Sequence, residues 1–158
     1  MTPDALLRDL FQVAVDAALP AKIGPPFVPQ TDAPLVVIGA GKASAAMAAA
    51  VEAHATGPVS GLVITRYDHA VPCQHIEIVE AAHPVPDAAG AEAAARMLTL
   101  AEGLGPDAQV LALISGGGSS LMTLLPEGIP QTQAAALNAA LLASGASIDE
   151  MNCLRRHL

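Results

Sequence analysis

Three consecutive glycines between serines follow an apolar run in the stretch LALISGGGSSLM, residues 111–122. Inside a regular element each glycine costs about 0.5–1 kcal/mol relative to alanine, so such a cluster indicates backbone that a side chain would block. Successive backbone N–H groups suit a phosphate or a carboxylate, and serine hydroxyls, including that of Ser120, add donors. We predict an anion-binding loop formed by Ser115, Gly116, Gly117, Gly118 and Ser119. The alternative is a tight turn without a ligand, although one or two glycines usually suffice for a turn.

A second glycine turn, GAGKAS at residues 39–44, also follows an apolar run. Gly39 and Gly41 match part of a dinucleotide-binding fingerprint, but Ser44 replaces its third glycine. Arg66 stands where that fingerprint expects an acidic residue, at the end of the next strand. This departure weakens the prediction of an NAD site. Because an arginine at this position suits a 2′-phosphate, an NADP site stays open.

Lys42 lies inside this second turn and is one of only two lysines in the chain. A lysine in a strand-to-helix turn can reach a ligand as a point charge. The alternative is a solvated surface lysine, which the helix dipole disfavours at the start of a helix. We therefore predict that Lys42 is a catalytic residue.

The stretch HPVPD, residues 83–87, places His83 in a loop stiffened by two prolines. His83 could bind substrate or act as an acid or base, although a structural role is the alternative.

Asp68, in a polar cluster with Tyr67 and His69, could hold a metal ion or belong to a solvated loop. We assign no metal ligands, since the two cysteines, Cys73 and Cys153, fit no metal-binding spacing.

The composition limits the classes of partner. The chain has 158 residues, 53% of them hydrophobic, which favours one folded domain with a core. The net charge is −8, and only seven lysines and arginines are present, without a basic stripe. This excludes general binding to nucleic acid or to an anionic membrane. No signal peptide or apolar run of about 18 residues is present, so we expect a cytoplasmic protein with free thiols.

The elements that position these residues follow from hydrophobic periodicity. Helices are predicted at residues 3–18, 42–55, 87–104 and 131–143, and buried strands at residues 35–38, 61–66 and 109–114. A further strand is predicted at residues 75–81, where apolar and polar residues alternate as in an edge or one-sided strand. Residues 20–34 are predicted to be a proline-rich connector with little regular structure. A capping box, Ser147 with Glu150, opens a last helix. The order of strands and helices predicts a three-layer α/β/α domain with a mainly parallel sheet, in which both glycine turns lie at one edge.

Five segments together resemble the glycerate 2-kinase family, whose C-terminal domain is called MOFRL and whose members are often labelled hydroxypyruvate reductase. The segments are VVIGAGKASAAMA, GLVITRYDHA, EAAHPVPDAAG, LALISGGGSSLM and LLASGASIDEMNCLRRHL. The resemblance implies a Rossmann-like N-terminal domain in a kinase that uses ATP and Mg²⁺ to convert D-glycerate to 2-phosphoglycerate. A glycerate-like hydroxy acid and a nucleotide are the implied partners, and a homodimer stays open.

The resemblance also implies roles for particular residues. Lys42 matches the functional lysine of the family, and residues 115–119 match its phosphate-binding loop. Asn152, Arg155 and Arg156 fall in an N-x-x-R segment of the family. We assign Asn152 and Arg155 to substrate binding, together with Gly39, Gly41 and His83.

Two departures accompany the resemblance. Asp68 stands where a glycine is usual, and the chain ends before the next family motif and the second domain. Residues 1–158 are therefore expected to be a truncated N-terminal domain that is inactive alone. The alternatives are an NAD(P)H-dependent hydroxypyruvate reductase and a non-catalytic ligand-binding domain.

Overall fold

The computed structural model describes residues 1–157 and contains a four-stranded sheet whose strands are all parallel. The strands are β1 (Leu35–Ala40), β2 (Val59–Arg66), β3 (Ile76–Ala81) and β4 (Gln109–Ile114), in the order β3-β2-β1-β4. The helices of the described residues are α1 (Pro3–Ala18), α2 (Pro20–Ile23), α3 (Ser44–His54), α4 (Ala88–Glu102), α5 (Gly118–Leu121), α6 (Gln131–Ala143) and α7 (Ile148–Arg155).

The register of the central strand places the two glycine turns side by side. β1 pairs with β2 and with β4, and Ala40 at its end lies opposite Ile64 on one side and Ile114 on the other. Because the strands are parallel, their carboxyl ends meet at one edge of the sheet. The turn after β1 and the turn after β4 therefore leave this edge as neighbours, as predicted.

Helices cover both faces of the sheet and enclose two apolar clusters. On one face, α3 packs on the sheet through small residues such as Ala48 and Val51. On the other face, α4 and α5 contribute Ala94, Met97 and Leu121. Alanine and valine let the helix axes approach the sheet closely, which suits the alanine-rich composition. The predicted three-layer α/β/α fold is confirmed.

Two predicted elements differ from the structure in their packing. The α1 helix forms with Thr2 as its N-cap, but none of its residues is buried, and Leu7 and Phe11 are 67% and 69% exposed. The apolar β4, predicted to be buried, is an edge strand on which Val110 and Ile114 are 46% and 60% exposed. An apolar sequence shows that a strand can be buried. The position of the strand in the sheet decides whether neighbouring elements cover it.

The connector at residues 20–34 has more regular structure than predicted. Prolines occupy the first positions of α2 and of a 3₁₀ turn at Pro25–Phe27. Proline fixes φ near its helical value, so at a first position it favours a helical turn. Within residues 1–157, no helix combines the length and the apolar character needed to cross a membrane.

The carboxylate of Glu52 joins α3 to the start of β3. It accepts hydrogen bonds from the backbone N–H groups of Gln74, His75 and Ile76 at 2.8, 2.7 and 2.6 Å. Burial alone would raise the pKa of Glu52, but these three hydrogen bonds outweigh it and hold the pKa below its ordinary value of 4.5. The ionised form is therefore the form that the folded protein prefers.

Glu52→Gln is expected to lower the free energy of unfolding at neutral pH by about 1–3 kcal/mol, since it removes the charge from these hydrogen bonds. The contribution of the Glu52 carboxylate is fully present above pH 4.5 and is lost as the pH falls through the lowered folded pKa. Urea unfolding of both proteins across this range measures the difference, with exposed Glu127→Gln as the control. Equal stability of Glu52→Gln and the parent at pH 7 would contradict the role of Glu52.

Candidate active site

Hydrogen bonds join the two glycine turns into one unit. The Ser115 N–H donates to the Ala40 carbonyl at 3.1 Å, and the Lys42 N–H donates to the Gly116 carbonyl at 3.0 Å. The Ser115 hydroxyl accepts from the Ala43 N–H at 3.0 Å. Lys42 is therefore held beside the triple glycine by the backbone of the neighbouring turn.

The hydroxyl of Ser115 is engaged within the protein. Ser44 donates its hydroxyl proton to the Leu113 carbonyl at 3.0 Å, and its oxygen lies 3.2 Å from the Ser115 hydroxyl oxygen. Each hydroxyl has one proton, so the Ser115 hydroxyl donates to Ser44. Ser120 likewise donates to the Gly117 carbonyl at 3.0 Å. Of the serines predicted to add hydroxyl donors, these two hold the turn together, whereas Ser119 is exposed.

The three glycines of the loop differ in their surroundings. Gly117 has a φ of 90°, and a Cβ atom there would lie 2.6 Å from the Nε2 atom of His83. Gly118 is buried, and a Cβ atom there would lie 2.9 Å from the carbonyl oxygen of Ala40. At the exposed Gly116 the nearest atom is the Cε atom of Lys42, at 3.8 Å. Internal packing therefore requires two of the glycines, and only Gly116 leaves an open surface.

Lys42 and His83 lie over the triple glycine, close to Arg66. A Cβ atom at Gly117 would lie 3.4 Å from the Cε atom of Lys42, so it would be in contact with Lys42 as well as with the His83 ring. Burial lowers the pKa of His83, and the positive charges of Lys42 and Arg66 lower it further. The imidazole is therefore neutral at neutral pH and can accept a proton, while Lys42 and Arg66 attract anions.

Asp87 holds the loop that carries His83. Its carboxylate accepts from the Gly90 N–H at 3.0 Å, which caps α4, and from the Tyr67 hydroxyl at 2.8 Å. Burial alone would raise the pKa of Asp87, but these hydrogen bonds outweigh it and lower the pKa. The Tyr67–Asp87 hydrogen bond thereby connects the loops after β2 and β3.

The donors around the triple glycine suit an anion better than a metal ion. Within residues 1–157 no group of three or more His, Cys, Asp or Glu side chains could hold a cation together. Asp68 has a φ of 63°, a conformation that glycine adopts readily and aspartate tolerates better than most residues. This backbone conformation explains why position 68 can hold a glycine, the residue usual there in the family, as well as the aspartate of this chain. Lys42, Arg66 and backbone N–H groups do not fit Mg²⁺, whose ligands are oxygens.

Gly39 and Gly41 face the neighbouring strands. Gly39 lies in β1 opposite Val63 and Leu113, and the Gly41 N–H donates to the Ile64 carbonyl at 3.0 Å. A Cβ atom at Gly39 would collide with Leu113 of β4, and one at Gly41 would collide with Ser115 in the turn after β4, so both glycines allow close packing. Their assignment to substrate binding stays a prediction.

The predicted residues Asn152, Arg155 and Arg156 lie in a second group, beside Ser119 and Ser120 of α5. A cavity of about 320 Å³ is lined by the polar residues Ser119, Ser120, Thr123, Asn138, Asn152, Arg155 and Arg156. Leu125, Ala134 and Pro86, which belongs to the loop that carries His83, complete its lining. Arg155 donates through Nε to Asn138 Oδ1 at 3.0 Å and through Nη1 to Asn152 Oδ1 at 3.4 Å. Lys42 and His83 do not line this cavity. The predicted site residues thus form two groups that meet at residues 116–120.

Sequence reasoning missed Asn138, which lies 17 residues before Arg155 on a different helix. Its type and its position in a predicted helix carried no signal, because the contact depends on how α6 and α7 pack. Arg66 was considered only as a ligand of a 2′-phosphate. Its effect on the pKa of His83 depends on the adjacency of β2 and β3, which the sequence does not show.

Comparisons with known proteins agree with this fold. The chain is 51% identical over 155 residues to a protein of Agrobacterium vitis named "Putative hydroxypyruvate reductase", with 97% of this chain and 35% of that protein covered. It is 39% identical over 162 residues to the "D-glycerate 2-kinase" of Thermotoga maritima, with 99% of this chain and 39% of that protein covered. The chain therefore spans between a third and two fifths of the length of these relatives.

Two crystal structures superpose on nearly all of the chain. A glycerate kinase of Thermotoga maritima matches with a TM-score of 0.79 and 34% identity, covering 99% of this chain and 39% of that one. A protein of Pyrococcus horikoshii matches with a TM-score of 0.81 and 30% identity, covering 100% of this chain and 39% of that one. The resemblance to glycerate 2-kinases is confirmed. A family model described as "Domain of unknown function (DUF4147)" matches residues 6–158, and the chain belongs to this family.

Proposed function

We propose that the protein to which these residues belong is a glycerate kinase, which transfers a phosphoryl group from ATP to D-glycerate and yields 2-phosphoglycerate. The observation that carries this proposal is the position of Lys42 against Gly116 and Gly117, where a cation adjoins exposed backbone. The names of the relatives from Thermotoga maritima support it. Because the chain spans only part of these relatives, the proposal concerns the whole enzyme.

The chemistry of phosphoryl transfer agrees with this arrangement. Such reactions depend mainly on positioning and on stabilising negative charge, and they need little covalent chemistry from the protein. Lys42 would supply positive charge beside Gly116, and the neutral His83 would accept the proton of a substrate hydroxyl, which its lowered pKa and its position next to Gly117 support. Mg²⁺ enters the proposal only with the nucleotide, since the described residues around Lys42 do not fit it.

The name of the Agrobacterium vitis relative favours a second candidate, an NAD(P)H-dependent hydroxypyruvate reductase. Gly39, in the last part of β1, and Gly41, in the turn after it, are compatible with it, but a Cβ atom at these positions would collide with Leu113 and Ser115, so both glycines already have a packing role. A non-catalytic ligand-binding domain is the third candidate. A cytoplasmic location and a homodimer remain predictions.

The test uses the polypeptide encoded by the complete reading frame. With ATP, Mg²⁺ and D-glycerate we expect stoichiometric ADP formation, with ³¹P NMR placing the new phosphate on the 2-hydroxyl. With hydroxypyruvate and either NADH or NADPH we expect no oxidation of the cofactor. Reductase turnover without ADP formation would favour the second candidate, and binding without either turnover would favour the third.

A further inference from the structure

The guanidinium of Arg155 is held at the cavity beside Ser119 by two side-chain amides. The oxygens of Asn138 and Asn152 accept from its Nε and Nη1 atoms at 3.0 and 3.4 Å. The amide of Asn138 is itself fixed, because its nitrogen donates to the Ala134 carbonyl at 3.0 Å. Arginine has five N–H donors, so three remain after these two hydrogen bonds.

Amide partners orient an arginine without cancelling its charge. By contrast, two other arginines of the described residues, Arg8 and Arg96, form ion pairs with Asp4 and Glu77. The chain has 15 acidic residues and seven lysines and arginines, so carboxylates are abundant. Within residues 1–157 no carboxylate forms a salt bridge with Arg155, although Arg156 brings a second positive charge to the same cavity.

We propose that Asn138 is a positioning residue that presents Arg155, with its full charge, to a carboxylate or phosphate group bound in this cavity. Both groups offer two oxygens to the planar fork of a guanidinium. Ser119, which lines the same cavity and is exposed, offers a hydroxyl donor.

This inference rests on the proposed function, in which both substrates are anions. The group formed by Lys42, Arg66 and His83 attracts one anionic group at the triple glycine. Arg155 and Arg156 line the cavity beside Ser119 and Ser120 and would hold the anionic group of the other substrate. The phosphoryl group would then be transferred beside residues 116–120, which both groups adjoin.

The decisive variant is Asn138→Asp, which keeps the shape and the acceptor oxygen of the side chain but adds a negative charge beside Arg155. If Asn138 serves only to brace α6 against α7, the aspartate should serve nearly as well, because its ion pair with Arg155 offsets the loss of the hydrogen bond from the Asn138 amide nitrogen to the Ala134 carbonyl. If Asn138 preserves the charge of Arg155 for a ligand, affinity should fall while the fold stays intact. Gln133→Glu is the matched control, since it adds one charge to an exposed position of the same helix outside this cavity.

Calorimetric titrations with D-glycerate, ADP and inorganic phosphate measure the affinities of the complete polypeptide. For Asn138→Asp we expect an affinity loss of about tenfold or more for one substrate, with the melting temperature and the Gln133→Glu control unchanged. A loss confined to D-glycerate identifies a carboxylate site, and a loss for ADP identifies a phosphate site. Arg155→Gln should weaken the same probe.

The proposal would be overturned if Asn138→Asp and Arg155→Gln bound the probes as tightly as the parent protein does. It would also be overturned if the parent protein bound none of the probes. The two hypotheses also fail separately. If the parent protein lacks kinase activity but Asn138→Asp still weakens binding of phosphate, the anion site stands and the kinase assignment falls. If kinase activity is present and Asn138→Asp binds both substrates like the parent, only the positioning role is wrong.

Discussion

Lys42→Ala is expected to lower kcat/KM for phosphoryl transfer by about a hundredfold or more, as removal of one well-placed electrostatic group does in other active sites. The side chain lies against Gly116 and Gly117 and brings a positive charge to the exposed backbone of the loop. Its backbone N–H donates to the Gly116 carbonyl, and this hydrogen bond persists in the alanine variant. Binding and turnover should therefore fall without loss of stability.

The other lysine of the chain provides the control. Lys22 is exposed on α2, which belongs to the connector before β1, so Lys22→Ala changes the net charge by the same amount without altering the loop. Turnover and thermal melting of both variants separate the effect of removing the Lys42 side chain from the effect of changing the net charge. Equal kcat/KM in Lys42→Ala and Lys22→Ala would mean that Lys42 is an ordinary surface residue.

Gly117→Ala is expected to have the largest effect on stability among the substitutions in this loop. The φ of 90° costs a residue other than glycine about 1–3 kcal/mol. The added methyl group would also lie too close to the His83 ring, which must shift from its position. The melting temperature should fall by roughly 2–4 °C for each kcal/mol lost, and turnover should fall with the displacement of His83.

Substitutions of two other glycines separate the effect of backbone strain from the effect of contact with His83. Gly128 has a φ of 87° but open space around it, so Gly128→Ala reports the backbone strain alone. Gly116 has neither a positive φ nor a close neighbour, so Gly116→Ala should leave the melting temperature almost unchanged. If Gly117→Ala lowers the free energy of unfolding no more than Gly128→Ala does, the contact with His83 does not add to the loss of stability. If Gly117→Ala turns over like the parent, His83 has no part in the reaction.

Local patterns were sufficient to predict most elements of the fold. The predicted helix at residues 3–18 and the predicted strand at residues 109–114 coincide with α1 and β4. The capping box at Ser147 forms as predicted, with both of its hydrogen bonds present. These features depend on residues close in sequence, and the parallel order of the strands follows from their alternation with helices. The shared edge of the two glycine turns follows from the same topology.

The sequence by itself thus determined the fold class and the loops in which Lys42, His83 and the triple glycine lie. Only the tertiary structure decided what each residue contacts, because these contacts join segments far apart in sequence. Gly117 makes room for His83 from the loop after β3, and Asn138 on α6 orients Arg155 on α7. Hydrophobic periodicity and residue propensity indicate the secondary structure of a segment and which of its residues face the core. They do not indicate how far apart two loops lie in the folded protein. The separation of the predicted site residues into two groups, one around Lys42 and His83 and one around Arg155, could therefore be recognised only once the helices were packed on the sheet.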